Sequence, residues 1–115
     1  MFEKLVVYQR AVDFTDSIYG LTRDFSRTDG FAMSDQFRRA ALSIALNIAE
    51  GSGRSKREFR NFLRIARSSC YECIPLIELA ARRHLMSREV QQRLYQECGQ
   101  LSRMLSGLLN SLGSP

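Results

Sequence analysis

At 115 residues and 13.2 kDa the chain has room for one hydrophobic core and not for two. A composition that is 44% apolar and 25% charged, with two prolines, excludes a disordered chain, and no apolar run reaches the ~20 residues that a membrane helix needs. The net charge of +5 is confined to one place: six basic residues against one acid lie between Arg54 and Arg67, and elsewhere eleven basic and eleven acidic residues cancel.

Apolar residues recur at helical spacing through four stretches, and no alternating strand pattern interrupts them. The first helix is expected from about Val6 to Phe25, with Val7, Ala11, Phe14, Ile18, Leu21 and Phe25 in one stripe. Ser26-Arg27-Thr28-Asp29-Gly30 then reads as a turn. The second helix is expected to start near Ser34, a good N-cap, and to stop at Gly51-Ser52-Gly53. Ser55-Lys56-Arg57-Glu58 has the pattern of a capping box and opens a third helix running to about Arg83. Its inner face holds Phe59, Phe62, Leu63, Ala66, Cys70, Cys73, Ile74, Ile77 and Ala80, and Pro75 in its middle predicts a bend. The fourth runs from a Ser87 cap to Leu112, on a seam of Val90, Leu94, Leu101, Leu105, Leu108 and Leu112, with Gly113 and Pro115 as its stop. Short connections make successive helices antiparallel neighbours, so the expected fold is a single all-α domain, an up-down-up-down four-helix bundle spanning residues 1–115.

The second helix has too much apolar circumference for a lone bundle. Leu42, Ala45, Leu46 and Ala49 lie beyond the arc that its own neighbours need, which predicts contact with another copy of the chain, unless the neighbours wrap the helix completely. Its narrow polar strip, Arg39, Ser43, Asn47 and Glu50, is spaced by four, four and three, so these side chains stack on one face. They can form an internal network or interface, or share a ligand. A lone glutamate without a histidine or second carboxylate is poor material for acid-base catalysis.

Other chemistry is sparse. Cys70 and Cys73 form a CxxC that His84 and Cys98 could complete as a zinc site. Along a helix, however, His84 lies about 20 Å beyond Cys70 at 1.5 Å per residue. The cysteines are expected to pack in the core, and neither metal nor cofactor is expected. Their low, odd number argues for reduced thiols, and Met1-Phe2-Glu3-Lys4 lacks the layout of a secretion signal; both favour the cytoplasm. The basic block is the main functional signal. Arg57, Arg60, Arg64, Arg67 and Tyr71 fall within one stripe of the third helix, opposite its core face, with Arg54 and Lys56 just before. Such a row can be a solvated face. It can also track the phosphates of RNA or DNA, with Tyr71 placed to stack on an unpaired base, or meet an acidic protein as a scaffold or adaptor.

The run Gln36-Phe37-Arg38-Arg39-Ala40-Ala41-Leu42-Ser43-Ile44-Ala45-Leu46-Asn47-Ile48-Ala49-Glu50-Gly51-Ser52-Gly53-Arg54 resembles the signature of a bacterial family. These are four-helix-bundle proteins first noticed as open reading frames within intervening sequences of 23S ribosomal RNA genes. Tyr8-Gln9-Arg10-Ala11 and the block from Glu58-Phe59 to Glu72 are similar to that family too, so the resemblance covers nearly the whole chain; Pro75 departs from it. It implies an up-down bundle, a cytoplasmic location, a ring of five subunits and no established enzymatic activity. It further implies kinship with accessory proteins of diversity-generating retroelements, basic pentamers that bind nucleic acid and a reverse transcriptase.

Overall fold

The computed structural model describes residues 2–25 and 31–113, and places four helices along them: α1 (Phe2–Thr22), α2 (Phe31–Ser52), α3 (Lys56–Arg82) and α4 (Arg88–Ser111). Each packs against two others, in the cycle α1, α2, α3, α4 and back to α1. Cross-helix contacts run in opposite senses along every successive pair. Thr15 Oγ reaches the Ala41 carbonyl at 3.1 Å while Arg38 Nε donates to Thr22 Oγ at 2.8 Å. Ser69 meets Ser43 at one end of the α2–α3 pair and Phe62 meets Gly51 at the other. Arg60 reaches Leu109 while Cys70 accepts from Cys98. The helices therefore alternate up and down, as their short connections predict. Among the described residues no helix is long and apolar enough to cross a membrane.

The interior is one cluster fed by all four helices, with Phe14, Ile18, Phe37, Ile44, Ile48, Leu63, Ile77, Leu94, Leu101 and Leu105 fully enclosed. Three sequence expectations shift. The helix α1 begins earlier than expected and ends at Thr22; Asp24 and Phe25 bond back to the third residue before them, a tightened last turn that leaves Phe25 beyond the helix. Helix α2 begins at Phe31, so Ser34 lies inside its first turn and does not cap it; nothing in Phe31-Ala32-Met33 opposes helix. Ile74, expected on the inner face of α3, is exposed, because its position has rotated off the stripe that Cys70, Cys73 and Ile77 define. The turn expected at Ser26–Gly30, and Pro115, lie outside the described residues.

Helix ends elsewhere follow the sequence. Ser55 caps α3, its hydroxyl accepting from the Glu58 amide at 3.2 Å while Glu58 reaches back to the Ser55 amide and hydroxyl. Ser87 caps α4 through the Val90 amide, and Gly113, at φ +74°, supplies the left-handed residue after its end. At the end of α3 the same left-handed position is taken by His84, at φ +61°. The Leu85 amide bonds to the Ala80 carbonyl, and that of His84 to Ala81. A side chain there costs on the order of 1 kcal/mol relative to glycine. Helix α3 runs through Pro75 without interruption, although proline has no N–H to offer the Tyr71 carbonyl.

At the end of α2 the backbone comes close against α3. A Cβ on Gly51 would stand 2.6 Å from Phe62 Cβ and 3.0 Å from Phe59 Cδ1, so only glycine fits. Replacing Gly51 with Ala should cost about 1–3 kcal/mol, since Phe62 Cβ cannot move without its backbone. Gly53→Ala, which meets nothing within 4 Å, should stay within about 0.5 kcal/mol in urea unfolding. The capping box generates a pH test. Hydrogen bonds from the Ser55 hydroxyl and amide, with Arg54 alongside, hold the Glu58 carboxyl below its ordinary value of 4.5. A lowered folded value means that its contribution is complete above pH 4.5 and is lost as pH falls through that lower value. The melting-temperature gap between the parent and Glu58→Gln should therefore be constant from pH 7 to 5 and close below 4.5.

Candidate nucleic-acid interface

Burying Phe59, Leu63, Ala66, Cys70, Cys73 and Ile77 fixes the roll of α3, and the opposite face must then carry the arginines. Lys56, Arg57 and Arg64 are exposed, and none of them makes a hydrogen bond or ion pair among the described residues. The other members of the expected row are engaged. Arg54 forms ion pairs with Glu50 at 3.3 Å and Glu58 at 3.5 Å, and its guanidinium lies over the Phe62 ring, 5.4 Å from the centroid. Arg60 Nη1 donates to the Leu109 carbonyl at 2.6 Å, near the end of α4, where a cation complements the helix dipole. Its Nε is buried without a partner. Arg67 Nη1 donates to Ser106 Oγ at 3.0 Å. The six cations thus divide into three that face water unpaired and three that also hold the bundle. Arg54, Arg57, Arg60 and Arg64 line an open concavity of about 820 Å³ in which Glu58 is the single acid.

Tyr71 is 56% exposed, on the same face as Arg57 and Arg64 and two turns further along. The structure adds a residue that the sequence did not single out. Arg103 is exposed on α4, one turn before the Ser106 that Arg67 touches. Its chain position, 36 residues beyond Arg67, hides this; the pairing of α3 with α4 brings it within one turn of the Arg67–Ser106 contact.

The polar strip of α2 does not act as one unit. Asn47 Nδ2 donates to the Ser43 carbonyl and hydroxyl at 2.8 and 3.0 Å, and Ser43 Oγ lies 2.9 Å from Ser69 Oγ of α3. Ser69, buried in turn, also reaches the Ile65 carbonyl. This is an internal network joining α2 to α3, and Ser69 is the member that sequence reasoning missed. Arg39 instead pairs with Asp35 at 3.1 Å in full solvent, and Glu50 with Arg54. Arg38, next to Arg39, lies 4.7 Å over the Tyr19 ring and bonds Thr22 and the Tyr19 carbonyl, closing the end of α1.

On the apolar side of α2, Leu42 and Leu46 stay 37% and 57% exposed, and Ala49 is exposed too. Ala45 departs from expectation: at 5% exposure it belongs to the chain's own core and adds nothing to that face. Leu5 and Val12 of α1, also exposed, continue the apolar surface; Leu5 and Ala49 line one shallow depression.

The three cysteines are buried as free thiols, with Cys98 Sγ donating to the Cys70 carbonyl at 3.1 Å. Hydrogen bonding to Cys98 and burial push the Cys70 and Cys73 thiols well up, so both stay protonated at neutral pH. Among the described residues no group of His, Cys, Asp or Glu is arranged to hold a metal ion.

No curated protein matches the chain in sequence. A solved structure does resemble it throughout: the 1.70 Å crystal structure of a protein of unknown function from the S23 ribosomal protein family of Bacteroides thetaiotaomicron. The two share 25% sequence identity and superpose with a TM-score of 0.88 over 94% of this chain and 98% of that one. Residues 3–107 match the family described as 23S rRNA-intervening sequence protein, which is all but a few residues of the described bundle, and the chain belongs to that family.

Proposed function

We propose that the chain is a non-enzymatic, self-associating bundle that binds RNA or DNA through phosphates along the outer face of α3. The observation that carries this reading is the set of exposed, unpaired cations Lys56, Arg57 and Arg64 on a face that has no acid between Glu58 and Glu72. Unpaired arginines suit phosphate because they give up no internal partner on binding. A non-enzymatic role is consistent with the splitting of the α2 polar strip among three separate partners. Self-association is supported by Leu42 and Leu46, large side chains left in water on a helix whose inner face is already satisfied. The resemblance to its family suggests a ring of five subunits. Three reduced thiols suit the cytoplasm.

The charge-reversed double variant Arg57→Glu/Arg64→Glu should unfold like the parent yet lose at least tenfold in affinity for a labelled oligonucleotide. Its plot of log affinity against log salt should also flatten. Arg60→Ala should behave differently, losing about 1–2 kcal/mol of stability because the Leu109 carbonyl loses its charged donor. Unchanged affinity in the double variant rejects this face, and a bound partner that survives nuclease places an acidic protein there instead. In light scattering, Leu46→Lys should reduce the molar mass of the parent assembly to that of a single chain, since a lysine in an apolar contact is costly to bury. A parent that is already monomeric removes the self-association reading.

A further inference from the structure

We infer that the ligand of this face is a single strand, seated along the seam between α3 and α4, with one base stacked on Tyr71; the inference rests on the nucleic-acid reading above. The seam is wider than the α3 row alone. From Phe59 to Tyr71 on α3, and from Cys98 to Gly113 on α4, there is no Asp or Glu. These two segments are the ones that pack together, through Arg60 with Leu109, Arg67 with Ser106, and Cys70 with Cys98. Folding thus brings two acid-free stretches side by side, and Arg103 lies within one turn of the Ser106 that Arg67 touches. The α4 bank is low. A Cβ on Gly107 would meet nothing within 4 Å, and one on Gly99 would meet only the Arg103 guanidinium, at 3.3 Å. A strand laid on the seam would run over Arg60 and Arg67, which cross it to Leu109 and Ser106, and would meet the free cations Arg57 and Arg64 of α3 and the one cation of the α4 segment, Arg103.

Shape selects single strands over duplex. Helix α3 is flanked by α2 on one side and α4 on the other. Two helices side by side are roughly 20 Å across, against about 12 Å for the major groove of B-DNA. Among the described residues no element projects to read a duplex, which they could touch only at its outer phosphates. Tyr71 points the same way. It is a large aromatic left 56% exposed at the end of the cation row, and a base face is the partner that such a ring accepts without regard to sequence. From Arg57 to Tyr71 the helix rises about 21 Å at 1.5 Å per residue, room for a few nucleotides per subunit.

The test uses fluorescence anisotropy with a labelled 15-nucleotide strand of mixed sequence lacking self-complementarity, alone and annealed to its complement. The single strand should bind more tightly than the duplex. Tyr71→Ala should weaken single-strand binding by roughly 5- to 150-fold, the range for one stacked base, and leave duplex binding unchanged; Tyr71→Phe should restore it. Arg103→Glu should weaken binding and reduce the salt slope by about 0.7, one phosphate on a single strand. Far-ultraviolet circular dichroism of the variants should match the parent, since both side chains are exposed. Duplex binding as tight as or tighter than the single strand overturns the inference and leaves phosphate binding standing, as does a Tyr71→Ala protein with parental affinity. Failure of both probes to bind overturns the broader reading as well.

Discussion

The roll of α3 about its own axis governs both the interior and the surface of this protein. Two contacts set it. At its start the capping box and the approach of Gly51 to Phe59 and Phe62 hold the first turn against the end of α2. Further along, Cys70 and Cys73 are locked inside against Cys98. With one face committed over 27 residues, the arginines have a single direction left, along a stretch with no acid between Glu58 and Glu72. A change in that roll would bury guanidinium groups and expose phenyl rings, a cost far above the few kcal/mol by which such domains are stable.

The cations on α3 serve two ends. Arg60 and Arg67 spend their donors on α4, and Arg54 neutralises the acids on either side of the α2–α3 turn. Lys56, Arg57 and Arg64 remain unspent. A face made only of free arginines would repel itself and loosen the bundle; one made only of tethered arginines would have little to offer an anion. Alternation along one helix resolves the conflict, with the tethered residues on the side nearer α4 and the free ones standing outward.

Most of the architecture was legible from periodicity and from caps. Ser55 and Ser87 both hold the helix starts that their spacing to Glu58 and Val90 announces, because a capping hydroxyl acts within one turn and needs no tertiary partner. Ser34 misled for the same reason: a residue good at a cap is also tolerated one turn inside a helix, and only the chain before it decides. The divided roles of the arginines were illegible, since whether a guanidinium is free depends on what α4 offers it some 40 to 50 residues later. Ser69, 26 residues from the Ser43 it bonds, and Arg103, 36 residues beyond Arg67, were likewise visible only in the folded chain, as was the retreat of Ala45 into the core. Exposure of Leu42 and Leu46, in contrast, followed from counting apolar circumference on a single helix.

Pro75 has a bearing on how α3 moves. By withholding an amide from the Tyr71 carbonyl it removes one rung from the ladder of a long, otherwise well-packed helix. The exposed tyrosine therefore stands at a point where the helix has one backbone bond fewer, while Cys70, Cys73 and Ile77 hold the inner side in the core.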